Sequence, residues 1–372
     1  MRAKKSIDFS LLITVLILLA IGITMVFSAS AASSYIKYND SYLYLKSQGL
    51  FAIISIFAMW IFSKLDYKVL GRYAVLFVVL SIILLIVIFI PGLGYEAGGA
   101  TRWLKVGPWT LQPAEFAKTA LIIFMAKLLS RKDNNIKSFT KGVIPYLLLM
   151  FVYFALIILQ PNMSMAGSIV IITFLMLFVA GAKILHLALC VAPVVPAVIY
   201  LVKNESYRLN RWLSYRDPWA DPLKTGYQAI QSLLALGSGG IFGLGLGNSR
   251  QKFFYIPEAQ NDFIFSIIGE ELGFIGAATV ILLFLFLIWR GIRISLYAPD
   301  LFGCLLAAGI TSMIGIQVAI NIAVVTVSMP TTGVNLPLIS SGGSSLLFVM
   351  ANLGVLLNIS SQIKTDGSRG DP

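Results

Sequence analysis

Charge is scarce in this chain: Asp, Glu, Lys and Arg together make 12% of 372 residues, about half the share of an average soluble domain. A water-soluble globule of that size is excluded, because too little polar surface is present to cover it. There is one histidine, His186, and there are two cysteines, Cys190 and Cys304, each set in an apolar run. That scarcity excludes a disulfide framework and a metal centre built on histidine or cysteine. No polar interval is long enough for a nucleotide-binding α/β domain; the longest, from about 203 to 261, is short and rich in aromatics. The 28 basic residues outnumber 16 acidic ones for a net charge of +12. They are scattered through short loops rather than gathered in a stripe, so nucleic acid is not expected as a partner. A fixed-period repeat and matched interrupted helices in the two halves are also missing, which argues against an inverted-repeat transporter.

What the chain has is hydrophobic length, with 58% hydrophobic residues. Runs of about 18 to 25 apolar residues each suffice to cross a hydrocarbon layer of about 30 Å as a helix. The fold class expected is all-α, a polytopic membrane protein of about ten transmembrane helices in one domain over residues 1–372. Spans are predicted near 9–28, 47–62, 69–90, 111–129, 143–159, 165–180, 184–202, 263–289, 301–328 and 338–361. The first is about 20 residues long without a clear cleavage site, so it reads as a span and not as a signal peptide. Arg2, Lys4, Lys5, Lys64, Lys68, Arg72, Arg131, Lys141, Arg290 and Arg293 fall on one side, against Lys37, Lys46, Arg102 and Lys105 in the short loops of the other. The basic side is cytoplasmic by the positive-inside rule, which puts both termini inside the cell membrane and the long loop 203–261 outside. In that loop Trp212, Tyr215, Trp219, Tyr227, Phe253 and Tyr255 alternate with Arg208, Arg211, Arg216, Lys224, Arg250 and Lys252. Amphipathic or re-entrant segments are expected there, either as a headgroup anchor or as a substrate contact.

Ionisable side chains within spans cost about 2.5 to 3.5 kcal/mol each to insert, so each needs a reason. Glu115 and Lys118 stand three apart at the start of the fourth span, behind Pro113 at a first-turn position. They form either a local ion pair that neutralises two buried charges or a cation with its positioning acid. Asp262 stands at the start of the eighth span, as a helix cap or as a reacting carboxylate at the water boundary. Glu270 and Glu271 lie about 12 to 13 Å deeper and on different helix faces; packing and hydrogen bonding are their expected role. Glycine-rich stretches, 237–248 and 340–345 with Ser341 and Ser344, turn tightly and offer backbone N–H groups and hydroxyls to an anion or close packing to a helix. Neither stretch follows a strand in a βαβ unit, so a dinucleotide site is excluded.

The motifs Gly99-Ala100-Thr101-Arg102-Trp103, Gln112 to Lys118, Asp217 to Pro222, Gly245 to Ser249, Asp262 to Phe265 and Gly269 to Gly273 together resemble the SEDS family, named for shape, elongation, division and sporulation. The resemblance covers nearly the whole chain and is nearest the division and sporulation branch, the FtsW and SpoVE type. It implies a peptidoglycan glycosyltransferase that polymerises lipid II into β-1,4-linked glycan at the outer face of the cell membrane. It also implies a class B penicillin-binding transpeptidase as partner. Asp262 matches the family's catalytic aspartate, Glu115 and Lys118 a pair in its fourth span, and Arg102 an arginine of the preceding outer loop. Asn162, Asn261 and Ser341 depart from the residues usual at those places.

The chemistry implied needs a base for the acceptor hydroxyl and cations for the leaving pyrophosphate. Asp262 is the expected base, with Arg102, Lys118, Arg211 and Arg250 as phosphate contacts. Retention would need a second carboxylate about 5 Å away; only Glu258 is near in sequence, so inversion is expected. No cofactor is specified, and a divalent ion is left open. A lipid II flippase and a non-catalytic scaffold for the transpeptidase are the competing readings.

Overall fold

Short polar side chains set where the apolar runs become helices. In the computed structural model, which describes residues 7–97, 99–107, 109–131, 135–204, 209, 212 and 214–363, Asp8 accepts the Leu11 N–H at 3.0 Å and starts α1 (Phe9–Tyr38). Asn39 closes that helix in the left-handed conformation, which asparagine tolerates. Then come α2 (Leu43–Lys64), α3 (Tyr67–Arg72) and α4 (Ala74–Val87). Pro113 opens α5 (Pro113–Leu129), and a π-helical turn leads into α6 (Ile144–Ile158). Asn162 accepts from the Met165 N–H to start α7 (Met163–Val179), followed by α8 (Ile184–Lys203) and α9 (Tyr227–Ser238). After α10 (Ile264–Leu296), Asp300 caps α11 (Leu301–Val325) through the Gly303 N–H at 2.7 Å, and α12 (Gly343–Ser361) completes the bundle.

Among the described residues, α1, α2, the stretch Phe139–Ile158, α10, α11 and α12 are long and apolar enough to cross a membrane; α4 and α7 are shorter apolar helices. Large side chains such as Phe57, Val75, Phe151, Phe274 and Leu282 stand exposed around the bundle, an arrangement suited to hydrocarbon and not to water. The helices differ from the predicted spans in detail. The stretch 69–90 is divided at Tyr73 between α3 and α4. Residues 338–342 form a turn before α12, and α10 continues to Leu296. Between α4 and α5 the chain makes a small antiparallel sheet that the hydropathy pattern does not reveal, β1 (Gly94–Ala97), β2 (Ala100–Val106) and β3 (Trp109–Leu111), paired in that order.

The centre of the bundle is α11, packed on α5, α7, α10 and α12. At Gly309 a side chain would meet Ile122 Cγ2 at 2.6 Å and Met176 Sδ at 3.1 Å, so glycine lets α5 and α7 close on α11. At the end of the bundle near both termini, Arg290 pairs with Asp8, whose N–H donates to Ser360 Oγ at 3.0 Å. That lock joins α1, α10 and α12. The other end carries the sheet, α9 and Asp262.

Candidate active site

The segment before Asp262 is shaped by a break in α10. Gly273 has φ 67° and ψ −168° inside the helix, a conformation open to glycine. A broken helix leaves backbone groups that hydrocarbon cannot satisfy. Here the glycine-rich stretch supplies the partners: the N–H groups of Leu244 and Gly245 donate to the carbonyls of Glu270 and Glu271, both at 3.0 Å. On the other side of the break the Phe274 and Ile275 N–H groups donate to Gly240 and Ile241 at 2.9 and 3.2 Å. A side chain at Gly273 would come 2.3 Å from the Gly243 nitrogen. The stretch 240–245 is therefore a clasp on α10.

The two buried glutamates extend that clasp. Glu270 accepts from the N–H groups of Arg250 at 2.9 Å and Gln251 at 3.4 Å, and from Ser249 Oγ. Glu271 accepts from the Gly247 and Ser249 N–H groups at 3.0 and 3.2 Å, from Ser28 Oγ at 2.7 Å, and pairs with Lys252 Nζ at 3.0 Å. The expected structural role of these carboxylates fits the geometry, and although neighbours on a helix point about 100° apart, both side chains reach the same loop. The two acids grip one loop between them, and Ser249 donates to both, through its N–H to Glu271 and through its hydroxyl to Glu270.

Asp262 is half-buried in the turn that opens α10. Its backbone carbonyl accepts from Asn321 Nδ2 at 2.8 Å, and the same nitrogen donates to the Val334 carbonyl at 2.8 Å. Gly333, at φ 73°, runs close enough that a side chain there would stand 3.7 Å from Asp262 Oδ2. The loop 331–336 thus borders the carboxylate, and Ser164 Oγ on α7 holds that loop through the Thr332 carbonyl at 2.8 Å. Asn321 carries no charge; an amide within the last turns of an apolar span is the signal that finds it.

The other predicted residues divide. Lys118 Nζ lies 2.9 Å from Glu115 Oε2 with both side chains buried, the predicted i, i+3 pair. The angle is not that of a hydrogen bond, and the ammonium has no hydrogen-bond partner among the described residues. Arg102, in β2, donates to the carbonyls of Gln160 and Pro161 and so holds the turn between α6 and α7. Arg250 is exposed, with its backbone clasped by Glu270. Ser341 donates its N–H to the Gln260 carbonyl at 2.9 Å. The Ser344 hydroxyl donates to the Thr110 carbonyl at 2.7 Å and accepts the Gln112 N–H, tying α12 to the start of α5. Arg211 lies outside the described residues, as does Arg208. Glu258 is held by Lys37 at 3.1 Å and Gln260 at 2.8 Å. Among the described residues no three His, Cys, Asp or Glu side chains are grouped to hold a metal ion.

Two cavities of about 190 Å³ accompany these groups. One, near Lys37, Lys252 and Glu258, opens at the Asp262 end. The other is walled by apolar side chains of α2, α4, α5, α11 and α12, among them Phe62, Phe77, Phe116, Ile310 and Phe348. On α5 its residues Phe116 and Thr119 each follow one position after Glu115 and Lys118, one face further round the helix.

Membrane-length helices with a carboxylate and a buried cation toward one end define an integral membrane protein built around a polar site. The chain belongs to the cell cycle protein family of FtsW, RodA and SpoVE, whose family model matches residues 9–365. It is 48% identical over 357 residues to stage V sporulation protein E of Bacillus subtilis (strain 168), covering 96% of this chain and 98% of that protein. It is 41% identical over 364 residues to a probable peptidoglycan glycosyltransferase FtsW of Geobacter sp. (strain M18), covering 98% and 99%. Among solved structures, it matches a chain of a peptidoglycan synthase complex described for its coordination of polymerization and crosslinking, with TM-score 0.78, 28% identity and coverage of 95% and 98%. Rod shape determining protein RodA of Thermus thermophilus matches with TM-score 0.71, 26% identity and coverage of 97% and 99%.

Proposed function

We propose that this chain is a peptidoglycan glycosyltransferase that polymerises lipid II at the outer face of the cell membrane and works beside a transpeptidase. The observation that carries the reading is Asp262: a half-buried carboxylate whose backbone is fixed by Asn321 and whose side chain borders the loop at Gly333. In the proposed step the acceptor 4-hydroxyl oxygen bonds to the donor anomeric carbon while its proton passes to Asp262. The bond from that carbon to the pyrophosphate oxygen breaks, and undecaprenyl pyrophosphate leaves with the electron pair. Glu258 is engaged by Lys37 and Gln260, which supports one displacement with inversion over a second carboxylate acting as nucleophile. Lys118 offers its unused donors to the pyrophosphate, with Arg102, Arg211 and Arg250 as outer cations. The apolar cavity beside Phe116 suits an isoprenoid chain. The asymmetry of Lys and Arg between loops supports both termini inside and Asp262 outside.

Purified chain in vesicles loaded with labelled lipid II tests the reading: glycan polymer is expected. Transfer of lipid II across the bilayer with no polymer would replace the enzyme by a flippase. A scaffold would give neither result. Lys118 has its own test, since removing it alone strands Glu115 as a buried charge at a cost of about 3 to 5 kcal/mol. The double variant Glu115→Gln/Lys118→Met removes both charges and is expected to melt within a few degrees of the parent while polymerising at least about tenfold more slowly. Parental turnover by that variant would return the pair to a purely structural role.

A further inference from the structure

A row of buried oxygen acceptors without hydrogen-bond partners lies below Asp262 on the wall formed by α11 and the loop after it. Gln317 and Asn321 are 2% and 1% exposed, and among the described residues neither Gln317 Oε1 nor Asn321 Oδ1 has a hydrogen-bond partner. They stand four apart, so they share a helix face about 6 Å apart in height. Thr332 Oγ1, in the loop that borders Asp262, is likewise buried and unpaired. A buried acceptor left without a donor is unfavourable, and each of these three is satisfied by a ligand that brings donors. Deeper on the same helix α11, Gly309 meets Ile122 on α5. Counting outward from that contact brings Gln317 about 12 Å up α11 and Glu115 about 10 Å up α5, with Lys118 about a turn below.

The vertical order is then a cation at the level of Lys118, acceptors at Gln317 and Asn321, and the carboxylate of Asp262 at the mouth. An isoprenoid-linked amino sugar rising from the membrane presents the matching sequence: phosphate anions first, then amide N–H and hydroxyl donors. We infer that Gln317, with Asn321 Oδ1 and Thr332 Oγ1, forms the subsite that reads the donors of the lipid-linked sugar, an assignment that rests on the glycosyltransferase reading. Asn321 serves twice, since its Nδ2 fixes the Asp262 backbone while its oxygen is left without a partner among the described residues. Gln317 makes no such structural bond through its oxygen and is the residue on which the two roles separate.

The test is the affinity of the full-length chain in detergent for lipid II and for undecaprenyl pyrophosphate, which carries the anion without the sugar. Gln317→Met keeps length and removes the acceptor. Lipid II is expected to bind about tenfold more weakly, undecaprenyl pyrophosphate equally well, and the melting temperature to stay level or rise, because an unsatisfied group has been removed. Equal loss of affinity for both ligands, or unchanged affinity for lipid II, overturns the inference, as does a fall in melting temperature with no change in binding. If the parent chain binds lipid II and makes no polymer, the polymerase reading fails while the binding comparison still decides the role of Gln317.

Discussion

Asp262→Asn is expected to lower lipid II polymerisation by about 10² to 10⁴-fold, the range associated with loss of a general base. Asparagine has nearly the shape of aspartate, and the bond that fixes this turn runs from Asn321 Nδ2 to the backbone carbonyl of residue 262, so the substitution leaves that tie in place. The change falls on the proton acceptor and not on the fold. Three readouts separate the cases: polymer formed from labelled lipid II, affinity for lipid II, and the melting temperature in detergent. Chemistry at Asp262 predicts that the first collapses while the other two hold. Polymer formed at the parental rate would remove the proposed base, and a large fall in melting temperature would make the residue a cap.

The second large effect concerns stability. Glu271→Ala is expected to destabilise the folded chain by about 3 to 5 kcal/mol, the cost of breaking a buried ion pair from one side. Lys252 would be left without its anion, and the Gly247 and Ser249 N–H groups would lose their acceptor. Adding Lys252→Met removes the stranded charge and is expected to restore part of the lost melting temperature, though the backbone donors remain unmet. Thermal melting of the single and double variants checks this coupling. Independent, additive losses would mean that Glu271 and Lys252 do not act as a pair.

The helices were readable because a hydrocarbon layer demands about 20 apolar residues in a row, and a chain that meets the demand announces it. Other features depend on contacts between distant segments. Glu270, Glu271 and two glycines mark the neighbourhood of Gly273, but the break itself depends on partners at 240–245, about thirty residues away. Strand β2 carries Thr, Trp and Val, which favour a pleated surface, but its neighbours hide it within a loop between spans. At the site, Glu115, Lys118 and Asp262 were found by the cost of charge near lipid. Arg102 was found by its motif, yet two of its guanidinium nitrogens also hold the turn at Gln160 and Pro161, which no spacing along the chain discloses. Gln317 and Asn321 carry no charge and so fell below the criterion, although their burial makes them as demanding as an ion.

The clasp on α10 also has a direction along the chain. Every side-chain or backbone partner described for Glu270 and Glu271, from Ser28 to Lys252, is translated before them. Segments made first are the first free to settle into the bilayer. When the two acids leave the ribosome, the groups that donate to them and the lysine that pairs with Glu271 have already been made.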